Sequence, residues 1–159
     1  MPIQEFLVIL GGLVEEFSKA VGTGAQWEIF AQSIIADHLS KNGHGGAARE
    51  VKYPASARKS LDIAFGWKGA CYLVELKVES ATQAGSFAGD TLTNAITADK
   101  TKLAAFDMDA FVHGTDLSAG GKWVVAIAYS DKARKEIWES TLFSNKLDKS
   151  SFMFAATKV

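Results

Sequence analysis

The chain has 159 residues, 48% hydrophobic and 22% charged, which excludes a disordered chain and suits one globular domain, 1–159, with a core of its own. The formal net charge is −1. No global field therefore attracts nucleic acid, and any such binding must come from a local basic patch.

Ile3, Phe6, Leu7, Leu10, Leu13, Val14 and Phe17 recur at helical spacing and predict one amphipathic N-terminal helix, weakened by Gly11-Gly12. Its run Phe6–Leu10 is too short to span a membrane, and the start Met1-Pro2-Ile3-Gln4-Glu5 lacks the basic residues of a secretory leader. A cytoplasmic protein with no membrane partner is expected, of prokaryotic or phage origin on its small size and simple organisation. A second helix is predicted from about Ala25 to Lys41, with Trp27, Phe30, Ala31, Ile34, Ile35 and Leu39 as its apolar stripe. The glycines of Asn42-Gly43-His44-Gly45-Gly46 end it.

Three strands follow: Arg49–Tyr53, stopped by Pro54, then Ser60–Phe65 and Ala70–Val78, the last two a hairpin around Gly66-Trp67-Lys68-Gly69. The single cysteine, Cys71, excludes an internal disulfide and reads as a small apolar packing residue. Ser80–Gly89 reads as a loop and Thr91–Phe106 as a helix capped by Asp90 or Thr91. Trp123–Tyr129 is a buried strand, Ser130-Asp131 opens a helix to about Leu142, and Phe152–Ala156 is a last edge strand. The fold class is α/β, in the order α-α-β-β-β-α-β-α-β.

The central hairpin carries charge where a buried strand should carry none. Side chains two apart on a strand share a face, so Glu75 and Lys77 emerge together, with Asp62 on the neighbouring strand. An isolated charge in an apolar sheet costs several kcal/mol unless it is paired or binds a metal. The plain alternative is a wet sheet face, on which Glu-x-Lys is a surface pair worth about 0–1 kcal/mol.

Asp62 on the second strand and Glu75-Leu76-Lys77 on the third, after twelve intervening residues, resemble the signature of the PD-(D/E)xK nuclease superfamily. Glu28 on the preceding helix and Ala98-Asp99-Lys100-Thr101-Lys102-Leu103 on the following one are similar to further features of that family. The proline often found before the strand aspartate is replaced by Leu61. The resemblance implies a restriction-endonuclease-like fold: an α-β-β-β-α-β core over residues 25 to 130, a mixed sheet flanked by helices, here with an extra N-terminal helix.

It also implies a Mg2+- or Mn2+-dependent nuclease acting on phosphodiester bonds, with DNA as the expected partner. Asp62, Glu75 and the Leu76 carbonyl would hold the ion. Glu28 would bind it directly, bind through water, or hold a second one. Lys77 would meet the attacking water or the scissile phosphate. Cleaving a duplex takes two such sites, so a homodimer is expected. The rival within the same fold is a catalytically inert domain acting as a binding or immunity-type protein. A third is an ordinary α/β domain with Glu75 and Lys77 facing solvent.

Weaker nucleic-acid contacts are Gln32, one turn after Glu28, and Arg58, Lys59, Lys100 and Lys102. Arg49 to Lys77 carries six basic residues against three acidic ones, which fits a phosphate-facing surface and equally a solvated face. Lys100 and Lys102 differ by about 200° around a helix, so one of them at most reaches the cleft. Gln32 is equally a partly buried polar residue satisfied locally. His38, His44 and His113 are scattered and form no zinc pattern. The four tryptophans are expected to pack, with Trp67 the one candidate for exposure.

Overall fold

The computed structural model describes residues 1–24, 26–43 and 45–159; Ala25 and His44 lie outside the described residues. The elements are α1 (Ile3–Gly11), α2 (Val14–Gly22), α3 (Trp27–Lys41), β1 (Ala47–Tyr53), β2 (Ser56–Trp67), β3 (Ala70–Val78), α4 (Leu92–Ala104), α5 (Met108–Val112), β4 (Ser118–Ala128), α6 (Asp131–Glu139), β5 (Asn145–Lys149) and β6 (Phe152–Lys158). Among the described residues six strands form one mixed sheet in the order β1-β2-β3-β4-β6-β5. Only β3 and β4 run parallel, joined through α4 as a crossover; the other neighbours are antiparallel.

Two cores lie on the two faces of the sheet. Phe6, Leu10, Phe17, Trp27 and Ile35 of α1–α3 pack on Ile63, Phe65, Val74, Leu76, Val125 and Phe154. Leu92, Ile96, Leu103, Ala133 and Ile137 of α4 and α6 pack on Leu61, Leu73, Val124, Ala126 and Met153. Strands covered on both sides read as continuous apolar runs, which is why β4 and β6 were legible. Among the described residues no helix is long and apolar enough to cross a membrane.

Several elements differ from expectation. The N-terminal helix is two: Leu13 leaves helical geometry (φ −103°, ψ 14°) and turns into the core, while Gly12 closes α1 on the Val8 and Ile9 carbonyls. Gly11 has a packing reason, since a Cβ there would stand 3.1 Å from Leu147 Cδ2 on β5. The hairpin turn is the pair Lys68-Gly69, both at positive φ as a tight two-residue turn requires, and Gly66 and Trp67 belong to β2. β6 is not an edge strand. Polar Asn145–Lys149 pairs along its outer side and takes the edge itself. Trp27 and Trp123 are buried and Trp67 is half-buried beneath the Lys68 ammonium, 4.2 Å from its ring centre. The exposed tryptophan is Trp138, at 61%, because it follows buried Ile137 on α6 and so points outward.

Candidate active site

β2 and β3 pair from Trp67↔Ala70 as far as Ile63↔Val74. Past that point β3 continues to Val78 along β4, and β2 diverges. The edge of β3 that faces the gap offers backbone N–H groups, and two carboxylates take the place of the missing strand. Asp62 Oδ2 accepts from Leu76 N–H at 2.7 Å, and Glu28 Oε2 accepts from Val78 N–H at 3.4 Å. A residue's N–H and carbonyl leave a strand on the same edge, so the Leu76 carbonyl also opens on this fork.

The divergence has a local cause. Glu50 on β1 takes a left-handed φ of 51°, and the ladder between β1 and β2 steps over the Glu50/Asp62 level, from Arg49↔Ile63 to Val51↔Leu61. Residues two apart normally share a face, but here the ribbon turns over. Ile63 and Phe65 pack under α1–α3, while Val51, Tyr53 and Leu61 pack under α4. Asp62 sits at the pivot, which aims its carboxylate along the sheet toward β3.

Glu28 arrives from the opposite face. The Trp27 indole N–H donates to the Glu79 carbonyl at 2.5 Å, pinning the first turn of α3 to the end of β3. Glu28 then reaches round the open edge to within 4.0 Å of Lys77 Nζ. From the other layer α4 adds Asp99, whose Oδ2 is 3.4 Å from Lys77 Nζ, and Lys102, whose Nζ donates to Glu75 Oε2 at 2.8 Å. The Tyr53 hydroxyl lies 3.0 Å from the Lys102 carbonyl and 3.5 Å from Glu75 Oε1.

Glu75 is 1% exposed, and the Lys77 side chain is 15% exposed, so neither faces open solvent as a wet-face pair would. Burial, then the Asp62 charge, pushes the Glu75 carboxyl up to about 8, against the pull of Lys102. Burial also raises Glu28 and Asp99, with Lys77 opposing and Asp62 adding in both cases. Burial pulls Lys77 down, but Glu28, Asp99 and Asp62 outweigh it and hold the ammonium above its ordinary range. Burial and then Glu75 raise the Tyr53 phenol, which stays protonated. Four carboxyl groups thus face two ammonium groups.

The weaker candidates divide. Lys102 reaches the cluster; Lys100 is half-buried and has no ion pair among the described residues. Arg58 and Lys59 are exposed, and Lys59 joins Asn94, Thr97, Thr101 and Lys102 around a shallow groove of about 700 Å3 beside the fork. Gln32 takes a partner from β1: its Oε1 accepts from Arg49 at 3.4 Å. Asp99 and Tyr53 escaped the sequence reading as named site residues. Only Asp99 left a trace, within the helical segment quoted for the resemblance.

Among the described residues no three carboxylate, imidazole or thiolate groups close into a ready-made metal cage. Mg2+ does not require one, because it keeps several waters and binds through one or two carboxylates. Asp62, Glu75 and the Leu76 carbonyl are hard oxygen donors. Burial and then repulsion from Asp62 raise Glu75, and a divalent cation would relieve the repulsive part, so this donor set fits the ion. No family model, no curated protein and no solved structure matches the chain.

Proposed function

We propose that the chain is a metal-dependent nuclease of the PD-(D/E)xK superfamily, hydrolysing phosphodiester bonds of nucleic acid, with DNA as the first substrate to test. The observation that carries this is the fork. Asp62 accepts from the Leu76 N–H, between Glu75 and Lys77, where β2 leaves β3, and its charge acts on both within a cluster that has two more carboxyl groups than ammonium groups. The order α3-β1-β2-β3-α4-β4, with the five-residue α5 inserted before β4, supports a restriction-endonuclease-like core, with α1 and α2 as its N-terminal addition.

Mg2+ or Mn2+ would be held by Asp62, Glu75 and the Leu76 carbonyl, with Glu28 at the margin, and supplies charge relief on the phosphoryl oxygens. Lys77 places a fixed positive charge beside them, aligning the attacking water and stabilising negative charge as it develops. The Lys77 side chain is only 15% exposed, which limits how far solvent screens that charge. Lys102, one-third exposed, is free to move to a substrate phosphate once Glu75 is otherwise neutralised. Lys59 and Arg58 extend the basic rim. Duplex cleavage would bring two copies together, which light scattering of the protein on a short duplex checks.

The test is incubation of purified protein with supercoiled plasmid, linear duplex, single-stranded DNA and RNA, in Mn2+ or in EDTA. Metal-dependent cleavage is expected, abolished in Asp62→Ala and Lys77→Met. Lys77→Met keeps its metal affinity by calorimetry, because it removes the charge that acts on the phosphate and no ligand. Cleavage unchanged in Lys77→Met would sink the assignment. A second reading, the inert binding domain, is favoured by one observation: Lys102 already neutralises Glu75 and Lys77 already sits between Glu28 and Asp99. It expects no heat on Mg2+ or Mn2+ titration and no change in Asp62→Ala.

A further inference from the structure

α4 and β3 exchange charges. The helix offers an acid to the strand's lysine and a lysine to the strand's acid: Asp99 to Lys77 at 3.4 Å, and Lys102 to Glu75 at 2.8 Å. Residues three apart on a helix share a face, so one surface of α4 serves both contacts. The two contacts differ in setting. Lys102 is one-third exposed, whereas the side chains of Asp99 and Lys77 are 13% and 15% exposed. Asp99 Oδ2 is fully buried and makes no hydrogen bond among the described residues. A buried carboxylate oxygen without a hydrogen bond is costly, and the charge that offsets the cost is the Lys77 ammonium.

Lys77 has a second acid within reach, Glu28, but at 4.0 Å and on the far side of the fork. A lysine is a point charge on a flexible four-carbon stem, and opposing acids decide where it rests. With Asp99 neutralised, Glu28 would draw Lys77 across the fork, away from the groove side.

We propose that Asp99 is a positioning residue for Lys77, holding its ammonium on the α4 side of the fork where a substrate phosphate enters from the Lys59–Lys102 groove. The geometry stands by itself; the catalytic consequence rests on the nuclease reading. Asp99 touches neither substrate nor ion and acts through Lys77.

Asp99→Asn and Asp99→Glu test it, with Lys77→Met as the reference for complete loss. On the best cleaved substrate in Mn2+, Asp99→Asn should lower kcat roughly 10- to 100-fold, the scale of a misplaced catalytic group. KM and calorimetric Mn2+ affinity should stay within about twofold of the parent. Asp99→Glu should recover part of the lost kcat. A folded Asp99→Asn protein with parental kcat overturns the proposal, as does a loss of Mn2+ affinity parallel to the loss of kcat. Competitive acetylation of the lysines, read by mass spectrometry, is independent of activity. Lys77 should label more slowly than exposed Lys19 in the parent and markedly faster in Asp99→Asn; unchanged labelling also overturns the proposal. A parent that cleaves nothing overturns the nuclease reading instead, and the labelling then decides by itself whether Asp99 holds Lys77.

Discussion

Glu75 and Glu79 are both buried carboxylates on one short stretch of chain, and they have opposite surroundings. Glu79, fully buried, accepts from Gly85 N–H at 2.6 Å, Tyr129 N–H at 2.8 Å, Ser130 N–H at 2.9 Å and the Ser130 hydroxyl. It ties the loop after β3 to the N-terminus of α6, where backbone N–H groups favour an anion. Glu75 instead has one ammonium and one distant phenol. A fully satisfied buried acid is structural; an under-satisfied one beside other acids is a candidate for chemistry. Glu79→Gln should therefore lower unfolding stability by about 2–3 kcal/mol, as for lost hydrogen bonds to a charged group, measured by urea denaturation. Cleavage per folded molecule should not change. Glu79 was illegible in the sequence because three of its four donors lie some fifty residues away, at Tyr129 and Ser130. Glu75 and Lys77 were legible because two charges inside an apolar run break the strand pattern locally.

At the scale of elements, the fork depends on one residue in an uncommon conformation. Glu50, exposed and at φ 51°, turns β1 over and lets β2 leave β3. In an ordinary strand a β-branched residue is favoured, so Glu50→Val would be expected to stabilise. Here a β-branched side chain meets the left-handed region, and Glu50→Val should lose about 1 kcal/mol, again by denaturant midpoint. A gain in stability would contradict the turned ribbon. Nothing in Arg49-Glu50-Val51 announces that conformation, because glutamate has no preference for it. The apolar strands β3, β4 and β6 and the Thr91- and Ser130-capped helices were readable from period and cap chemistry. Polar β5 and the five-residue α5 were not, since their partners rather than their composition make them.

For the molecule as a whole, the charge cluster links pH, metal and stability. Glu75, Glu28 and Asp99 all have raised folded-state pKa values. Such groups contribute stability that is fully present below their unfolded values and is lost as pH rises through the folded ones. The metal-free protein should therefore melt at progressively lower temperature as pH rises from about 5 through the Glu75 value near 8. On the proposed reading Mg2+ would bind the ionised carboxylates, so the increase in Tm it produces should be larger at alkaline than at acid pH. Calorimetric melts across that range, with Mg2+ and with EDTA, check both signs. Glu75→Gln should flatten the pH dependence and remove most of the Mg2+ effect.

The sequence by itself determined most of the succession of helices and strands, though not α5, β5 or the break between α1 and α2, together with the burial of the Trp123–Tyr129 strand and which short stretch carried charge at odds with burial. These are local facts, set by side-chain period, by punctuation with glycine and proline, and by the cost of a charge in an apolar run. Only the tertiary structure decided that Glu28 and Asp99 converge on Lys77 from opposite layers, that Lys102 and not Lys100 meets Glu75, that Gln32 turns to Arg49, and that a polar strand covers the edge beside β6. Each of those is a contact between residues distant in the chain, fixed by how the helices register on the twisted sheet, and no pattern confined to one element encodes it.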